Sequence, residues 1–350
     1  MELLHQFDRY RELIDDWPAF VDACTRPLPA TLWINTLRLD RDAARARLEL
    51  EGVETAPLAW YARGLRVLGD GRPGKTLAYI TGSCHIQEEV SMLPVALLAP
   101  RPGERLLDLC AAPGNKTVQA AVHMDDQGTI VANDLHRRRL GMVVRNLERM
   151  TLTNTVATRF DGSSLPRAVG EFDRVIADVP CSCEGTVRKN LEVLRRDHDD
   201  RWVGAQIALL RKAVQRCRPG GRIVYATCTF APEENEAVVD TVLNEHRGEL
   251  RLLPTRVATS GDLSSSTDDP AGEATLDLAP VFRGDPGLVE WRGRRFDPSL
   301  ERALRVWPHH NDTGGFFVAL LERAPEVDAL SLREDEEETE PETVLRRIAA

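Results

Sequence analysis

The sequence predicts an α/β protein: a doubly wound, mostly parallel sheet preceded by a small α/β unit. Three observations carry that prediction. From Arg105 onward, strand-like and helix-like segments alternate at the spacing of βα units. The successive strand-like segments end in small or acidic residues, as strands do when their carboxyl ends face a ligand crevice. The chain's 350 residues, 42% of them hydrophobic, suffice for one large domain with an appendage or for two modest ones.

The elements follow in order. Residues 1–80 are expected to form a small α/β RNA-recognition unit. An amphipathic helix is expected from Phe7 to Ala23 and a strand from Thr31 to Arg38, after the turn chemistry of Pro27 and Pro29. A helix runs from Asp40, placed as its N-cap, to Glu51, and an extended segment lies at Leu65 to Leu68. The large domain is expected over 81–323. Its strands are Leu106 to Leu109, Thr129 to Asn133, Thr155 to Thr158, Asp173 to Ala177, Arg222 to Thr227 and finally Phe316 to Leu321. Helices between them are expected at Lys116 to Met124, His136 to Met150, Trp202 to Cys217 (stopped by Pro219-Gly220-Gly221) and Pro232 to about His246. Residues 258–285, rich in Ser, Asp, Pro and Gly, read as a surface insertion. The tail 324–350, with its Glu334 to Glu338 run, reads as acidic and disordered.

Composition limits the function classes. No apolar run approaches the roughly 20 residues needed to span a bilayer, and Met1 to Tyr10 carries charges at Glu2, Asp8 and Arg9, so a cytoplasmic protein without a targeting segment is expected. The net charge is -10, and only four basic residues are lysines (Lys75, Lys116, Lys189, Lys212), a balance that suits a salt-adapted protein. None of the seven cysteines forms a Cys-x-x-Cys pair, and the only close pair is Cys181-Ser-Cys183. Neither a disulfide framework nor a metal cluster is therefore expected, and Cys24, Cys84 and Cys217 read as buried small hydrophobes.

The segment Arg105 to Thr117 runs from a strand through a tight small-residue loop into a helix. Ala111, Ala112 and Gly114 allow the backbone close to a ligand, and the helix start offers unpaired N–H groups. A phosphate loop is excluded because Asn115 separates Gly114 from Lys116 and position 109 is Leu. A dinucleotide fingerprint is excluded because no Gly-x-Gly-x-x-Gly is present. The second strand ends in Asp134, where a carboxylate accepts ribose hydroxyls. The third is followed by Asp161, suited to an adenine amino group, and the fourth ends in Asp178. Each aspartate alone is more often a cap or turn former. Together, on consecutive strand ends, they point to a nucleoside cofactor with a positively charged centre.

Two cysteines stand at neighbouring strand ends: Cys181, in Asp178-Val-Pro-Cys-Ser182, and Cys228, in Ala226-Thr-Cys-Thr229. Adjacent parallel strands would bring both thiols to one crevice. Carbon 5 of cytosine is a poor nucleophile, and thiolate attack at C6 converts the base into an enamine whose C5 accepts a methyl group. A second thiol helps the proton and the thiolate depart. Asp178 is placed to hydrogen-bond the N3/N4 edge of the base.

At this point the residues match a known family. The chain resembles the RsmB/NOP family of RNA 5-methylcytosine methyltransferases. The match rests on Asp108-Leu-Cys-Ala-Ala-Pro-Gly-Asn-Lys-Thr117, Asp178-Val-Pro-Cys-Ser182, Thr227-Cys-Thr229, Arg305-Val-Trp-Pro-His309 with Asp312-Thr-Gly-Gly-Phe-Phe317, and Gln87-Glu-Glu-Val-Ser91. The resemblance covers about residues 80 to 323. It implies a seven-stranded Rossmann-like methyltransferase sheet and S-adenosyl-L-methionine as cofactor. By resemblance, Cys228 is the nucleophile and Cys181 promotes release of the methylated RNA. The cofactor would be held by Cys110, Ala111, Ala112, Pro113, Gly114, Asn115 and Lys116, with Asp134, Arg139, Asp161 and Asp178, and Lys116 would also order Asp178. Asn115 stands where the family often has Gly or Ser, and Thr229 replaces a common Ser. The layout is most like the archaeal tRNA-directed branch, so the partner expected is RNA, tRNA before rRNA, bound by a monomer with no metal and no membrane.

Arginines cluster at Arg137, Arg138, Arg139, Arg145 and Arg149, and at Arg292, Arg294 and Arg295. The second group is expected on the RNA-facing side, against the plainer reading of a solvated face paired with Glu. Unstacking a target base costs about a few kcal/mol, which favours a cytosine in a loop or junction. The rivals are a DNA cytosine methyltransferase with Cys181 as its Pro-Cys nucleophile, an amino-group methyltransferase, and an RNA-binding assembly factor without turnover.

Overall fold

A computed structural model describes residues 2–195, 200–255 and 282–325. Its dominant feature is a nine-stranded mixed sheet, flanked by a four-stranded antiparallel sheet and, among the described residues, a two-stranded hairpin.

The small sheet comes first in the chain. Its strands are β1 (Thr31–Ile34), β2 (Thr55–Pro57), β3 (Gly64–Val67) and β4 (Cys84–Ile86), in the order β2-β3-β1-β4. The helix expected from Phe7 to Ala23 is two pieces, a 3₁₀ helix over Glu2–Tyr10 and α1 (Trp17–Thr25). The break has a local cause. Asp16 accepts from the Ala19 N–H and Pro18 occupies the first turn, which starts a new helix instead of continuing the old one. These two pieces do not pack on the small sheet. Phe7, Tyr10 and Phe20 instead join Phe230 and Trp307 of the large domain in a buried aromatic cluster, with Phe7 and Phe230 edge to face at 5.4 Å. Strand β1 is shorter than expected, since Asn35 turns the chain by donating from its side chain to Gly82 O at 3.0 Å. Helix α2 (Arg41–Leu50) is capped by Asp40 as expected, and α3 (Leu77–Ile80) precedes β4.

The large domain follows the expected alternation. Helix α4 (Leu93–Leu98) leads into β5 (Arg105–Asp108), α5 (Asn115–His123), β6 (Thr129–Asn133), α6 (Arg137–Met150), β7 (Thr155–Thr158), β8 (Phe172–Asp178), α7 (Val203–Arg216), β9 (Cys217–Thr227) and α8 (Glu236–Glu245). After these come β10 (Leu250–Leu253), β11 (Asp285–Pro286), the hairpin β12 (Glu290–Trp291) and β13 (Arg294–Arg295), β14 (Leu304–Val306), α9 (Pro308–Asn311) and β15 (Phe316–Arg323). The main order is β11-β14-β15-β9-β8-β5-β6-β7, with β10 paired to β15. Strands β5 to β9 are parallel, and β15 runs antiparallel between β9 and β14. Seven strands form the expected sheet, and the short β10 and β11 bring it to nine.

One expected stop proves to be strand. Cys217 already pairs with Phe172, and Pro219-Gly220-Gly221 lies in an irregularity of the β8–β9 ladder before Arg222 pairs with Arg174. Val175, Ile176, Ile223 and Val224 are fully buried between layers of helices, which is why these strands read as continuous apolar runs.

Most of the segment expected as a surface insertion lies outside the described residues. Its last residues re-enter the fold, where Phe282 is buried and its ring meets Trp60 at 5.3 Å. The acidic tail beyond residue 325 also lies outside the described residues. No helix among the described residues is long and apolar enough to cross a membrane.

Candidate active site

The parallel strands end on one side of the sheet, and the loops after β5, β8 and β9 meet there around a cleft of about 250 Å³. It is lined by Asp108, the loop from Cys110 to Pro113, Asn115, Lys116, Asp178 and Cys228. Glu88, Ser91, Thr186, Lys189 and Phe316 close its other walls.

The loop after β5 is shaped by small residues. Gly114 has φ +103°, a conformation side chains resist, and a Cβ there would meet the Val143 Cα at 2.9 Å. Gly114→Ala is expected to cost about 1–3 kcal/mol of stability through that strain and contact. Chemical denaturation measures it, and an unchanged midpoint would contradict the close approach. Asn115 is held from outside the domain, because His85 of β4 donates to its Oδ1 at 3.0 Å. Burial lowers the His85 pKa to about 4, so the ring is neutral, with Nδ1 accepting from Arg149 and Nε2–H left for Asn115.

Asp134, at the end of β6, is buried and accepts from the Ala112 N–H at 3.3 Å and the His136 N–H at 2.9 Å. Arg139 lies 3.6 Å from it and donates to Ala112 O at 2.8 Å. These two residues therefore fix the loop at Ala112. Asp161 caps its own turn through Ser163 and is exposed, apart from the residues that line the cleft.

Asp108 was missed as a separate site residue, although its motif was legible. It is 1% exposed, accepts from Thr117 Oγ1 at 2.7 Å through Oδ2, and leaves Oδ1 buried without a hydrogen bond. Burial, aided by the charge of Asp178, raises its pKa to about 7. The folded chain thus keeps a proton that the unfolded chain releases above about pH 4, so this group supports the fold at low pH. That support is withdrawn as pH rises towards 7. Asp108→Asn is expected to gain stability relative to the parent on going from pH 4 to pH 7, and a pH-independent difference in urea midpoint would contradict this.

Lys116 donates to Asp178 Oδ2 at 2.6 Å, and its ammonium lies 5.7 Å from the Phe316 ring centre. The Lys116 to Asp178 contact expected from the resemblance is thus present. Asp178 Oδ1 makes no hydrogen bond among the described residues.

Strands β8 and β9 deliver the two expected thiols side by side, with Cys181 Sγ and Cys228 Sγ 3.5 Å apart. Cys228 reaches the cleft, while Cys181 lies buried behind it. A third thiol, Cys183, was not anticipated at the site: its Sγ is 3.9 Å from that of Cys181. Hydrogen bonds to Cys183 and Cys228, with burial, hold the Cys181 thiol well above its ordinary pKa. For Cys228 the hydrogen bond with Cys181 acts downward. The bond with Cys183, burial and the charges of Cys183 and Asp178 outweigh it, so this thiol also rests protonated.

A buried polar frame fixes both cysteine loops. Ser182 N–H donates to Glu234 at 3.0 Å, Ser182 and Thr229 share a 2.6 Å hydroxyl contact, and Gly185 N–H donates to Cys228 O at 2.9 Å. Glu184 accepts from Tyr10, Thr229 and the Phe230 N–H. Arg305 makes a bidentate pair with Glu236, at 2.6 Å and through its second nitrogen at 2.5 Å, and donates to Phe230 O at 2.9 Å.

The arginine clusters divide. Arg149 is spent on Tyr79 O, Cys84 O and His85, whereas Arg137, Arg138 and Arg145 are exposed. Arg294 lies 3.3 Å from Asp240 and Arg295 3.5 Å from Glu290, on the β12–β13 hairpin and away from the cleft lining.

Residues 95–322 match the family described as 16S rRNA methyltransferase RsmB/F. The human 28S rRNA (cytosine(4447)-C(5))-methyltransferase is 38% identical over 314 residues, which are 87% of this chain and 35% of the relative. The chain thus spans about a third of that protein's length. The tRNA (cytosine(49)-C(5))-methyltransferase of Pyrococcus abyssi is 33% identical over 90% of this chain and 94% of its own. Among solved structures, a methyltransferase homolog protein from Pyrococcus horikoshii superposes with a TM-score of 0.73 at 27% identity, covering 91% of this chain and 99% of that one.

Proposed function

The chain belongs to the RsmB/F family of 16S rRNA methyltransferases, and from that premise we propose that it methylates carbon 5 of a cytosine in tRNA or rRNA. The observation that carries the reading is the pair of thiols 3.5 Å apart at the ends of β8 and β9, one of them opening into the cleft.

The cleft suits S-adenosyl-L-methionine. Small residues Ala111 and Ala112 leave room for a nucleoside, and burial, aided by the carboxyl groups of Asp108, Asp178 and Asp134, raises the Cys110 thiol. Asp108 Oδ1 is a buried acceptor still lacking a donor. Cys110 to Lys116, with Asp108, Asp134 and Asp178, would hold the cofactor, Arg139 bracing the loop and Asp161 closing the adenine end. When bound, the cofactor supplies a methyl group from its sulfonium centre and leaves as a neutral thioether.

The chain's own residues do the rest. Cys228 gives its proton to solvent as Sγ bonds to C6, and the ring electrons move to C5 and the N3 edge. Asp178, steadied by Lys116, faces that edge and accepts from the amino group. C5 takes the methyl group, its proton passes to solvent, and expulsion of the Cys228 thiolate restores the C5–C6 double bond. Cys181, in contact with Cys228, donates its proton to the departing thiolate and is reprotonated from solvent. The exposed face of Arg137, Arg138 and Arg145, and the Arg292, Arg294 and Arg295 hairpin, would meet RNA phosphates.

Incubating the full chain with methyl-labelled cofactor and total RNA tests the reading, with nucleoside analysis of the product. Label in 5-methylcytidine is the expected result. Label only in other nucleosides, or transfer to DNA in preference to RNA, would sink it.

A further inference from the structure

We propose that Cys181, Cys183 and Cys228 form a reversible binding site for a soft d¹⁰ metal ion of the zinc class, and that the ion blocks the active site when bound. The three Sγ atoms lie within 4.8 Å of one another, with two of the separations 3.5 and 3.9 Å. A tetrahedral zinc ion bound at Zn–S distances of about 2.3 Å needs sulfurs about 3.8 Å apart. The three thiols therefore already stand near a chelating spacing.

The placement of Cys183 is what creates the site. Its backbone has φ +63°, a left-handed conformation that glycine adopts freely and a cysteine does not. That turn carries the chain back so that Cys183 Sγ approaches Cys181 O at 3.3 Å as well as the Cys181 thiol. Loops on two strands contribute: β8 provides Cys181 and Cys183, and β9 provides Cys228. Both are locked by Glu234, Glu184 and the Gly185 to Cys228 backbone bond. A frame this fixed meets a metal with little reorganisation.

Binding forms three metal–sulfur bonds and releases the thiol protons to solvent, leaving a water from the cleft as fourth ligand. Cys228 is then unavailable to a base. This inhibitory part rests on the proposed role of Cys228, whereas the site itself does not.

The reduced full chain is dialysed against zinc and, separately, titrated with cadmium while the ultraviolet thiolate-to-metal charge-transfer band is followed. One ion per chain is expected. Cys183→Gly, which suits φ +63°, should bind at least about 100-fold more weakly, since loss of even an outer partner of a metal ligand costs about 10- to 100-fold. Cys217→Ala, remote from the cluster, should bind as the parent does. With each chain's rate read as a fraction of its own zinc-free rate, zinc concentrations that stop the parent should leave that fraction unchanged in Cys183→Gly. Absence of stoichiometric binding, or equal affinity in Cys183→Gly, would overturn the site; full activity of the zinc-loaded parent would overturn the inhibition. A Cys228→Ala chain that still methylates RNA would instead sink the proposed function and leave the metal site standing.

Discussion

Replacing Cys228 by alanine is expected to lower methyl transfer by about 10⁴-fold or more, the scale on which covalent enzymes lose turnover without their nucleophile. Cys181→Ala should behave differently. Attack at C6 and methylation survive, but the adduct loses the thiol that stands 3.5 Å from Cys228. RNA should therefore accumulate on the protein, visible as a slowed band on a denaturing gel and absent from the double variant. If Cys228→Ala trapped RNA and Cys181→Ala were inactive, the two roles would be reversed. A pH profile adds an independent check. Both thiols rest above their ordinary pKa, so the reactive thiolate is scarce at neutral pH. The single-turnover rate should climb through the neutral range without levelling off below about pH 8.5, the usual thiol value. An early plateau would show that the site favours the thiolate after all.

The second large effect concerns stability. Arg305→Leu is expected to destabilise the chain by about 3–5 kcal/mol, because it strands Glu236, whose side chain is fully buried, without its partner. It also removes the donor to Phe230 O, two residues from Cys228. Urea denaturation measures the loss. The double variant Arg305→Leu with Glu236→Leu should recover much of it, since paired removal spares the cost of a lone buried charge. A single variant within about 1 kcal/mol of the parent, the scale of an exposed pair, would mean that the Leu288 N–H, which also donates to Glu236 at 3.0 Å, or water suffices for the buried carboxylate.

Much of the fold was legible because strands such as Leu106 to Asp108 and Ile223 to Thr227 are buried on both faces, and double burial writes itself as a plain apolar run. The N-terminal helix was misread because Phe7 and Phe20 look like one amphipathic stripe. Each in fact packs on Phe230, from two helical pieces separated by the Asp16 cap. At the site, the loop from Cys110 to Lys116 and the pair Cys181 and Cys228 were legible because their chemistry is tied to strand ends. Glu88, Thr186 and Lys189 were not, since nothing in a lone Thr or a Lys–Glu contact from distant segments marks a cleft wall.

Local order and chemical type are properties of the chain: which segments become strands, which of them end in carboxylates or thiols, and therefore that a small-residue loop and two cysteines share one edge of the sheet. Distances between segments far apart in sequence belong to the fold alone. Only packing decided that His85 of the small sheet holds Asn115 and that Asp108 is buried deeply enough to keep its proton near pH 7. Packing also gathered Cys183 with Cys181 and Cys228 into a triangle of sulfurs. Spacing within a motif constrains bonds along the backbone, whereas proximity across loops is set by the frame of Glu184, Glu234 and Arg305, whose partners lie tens of residues away.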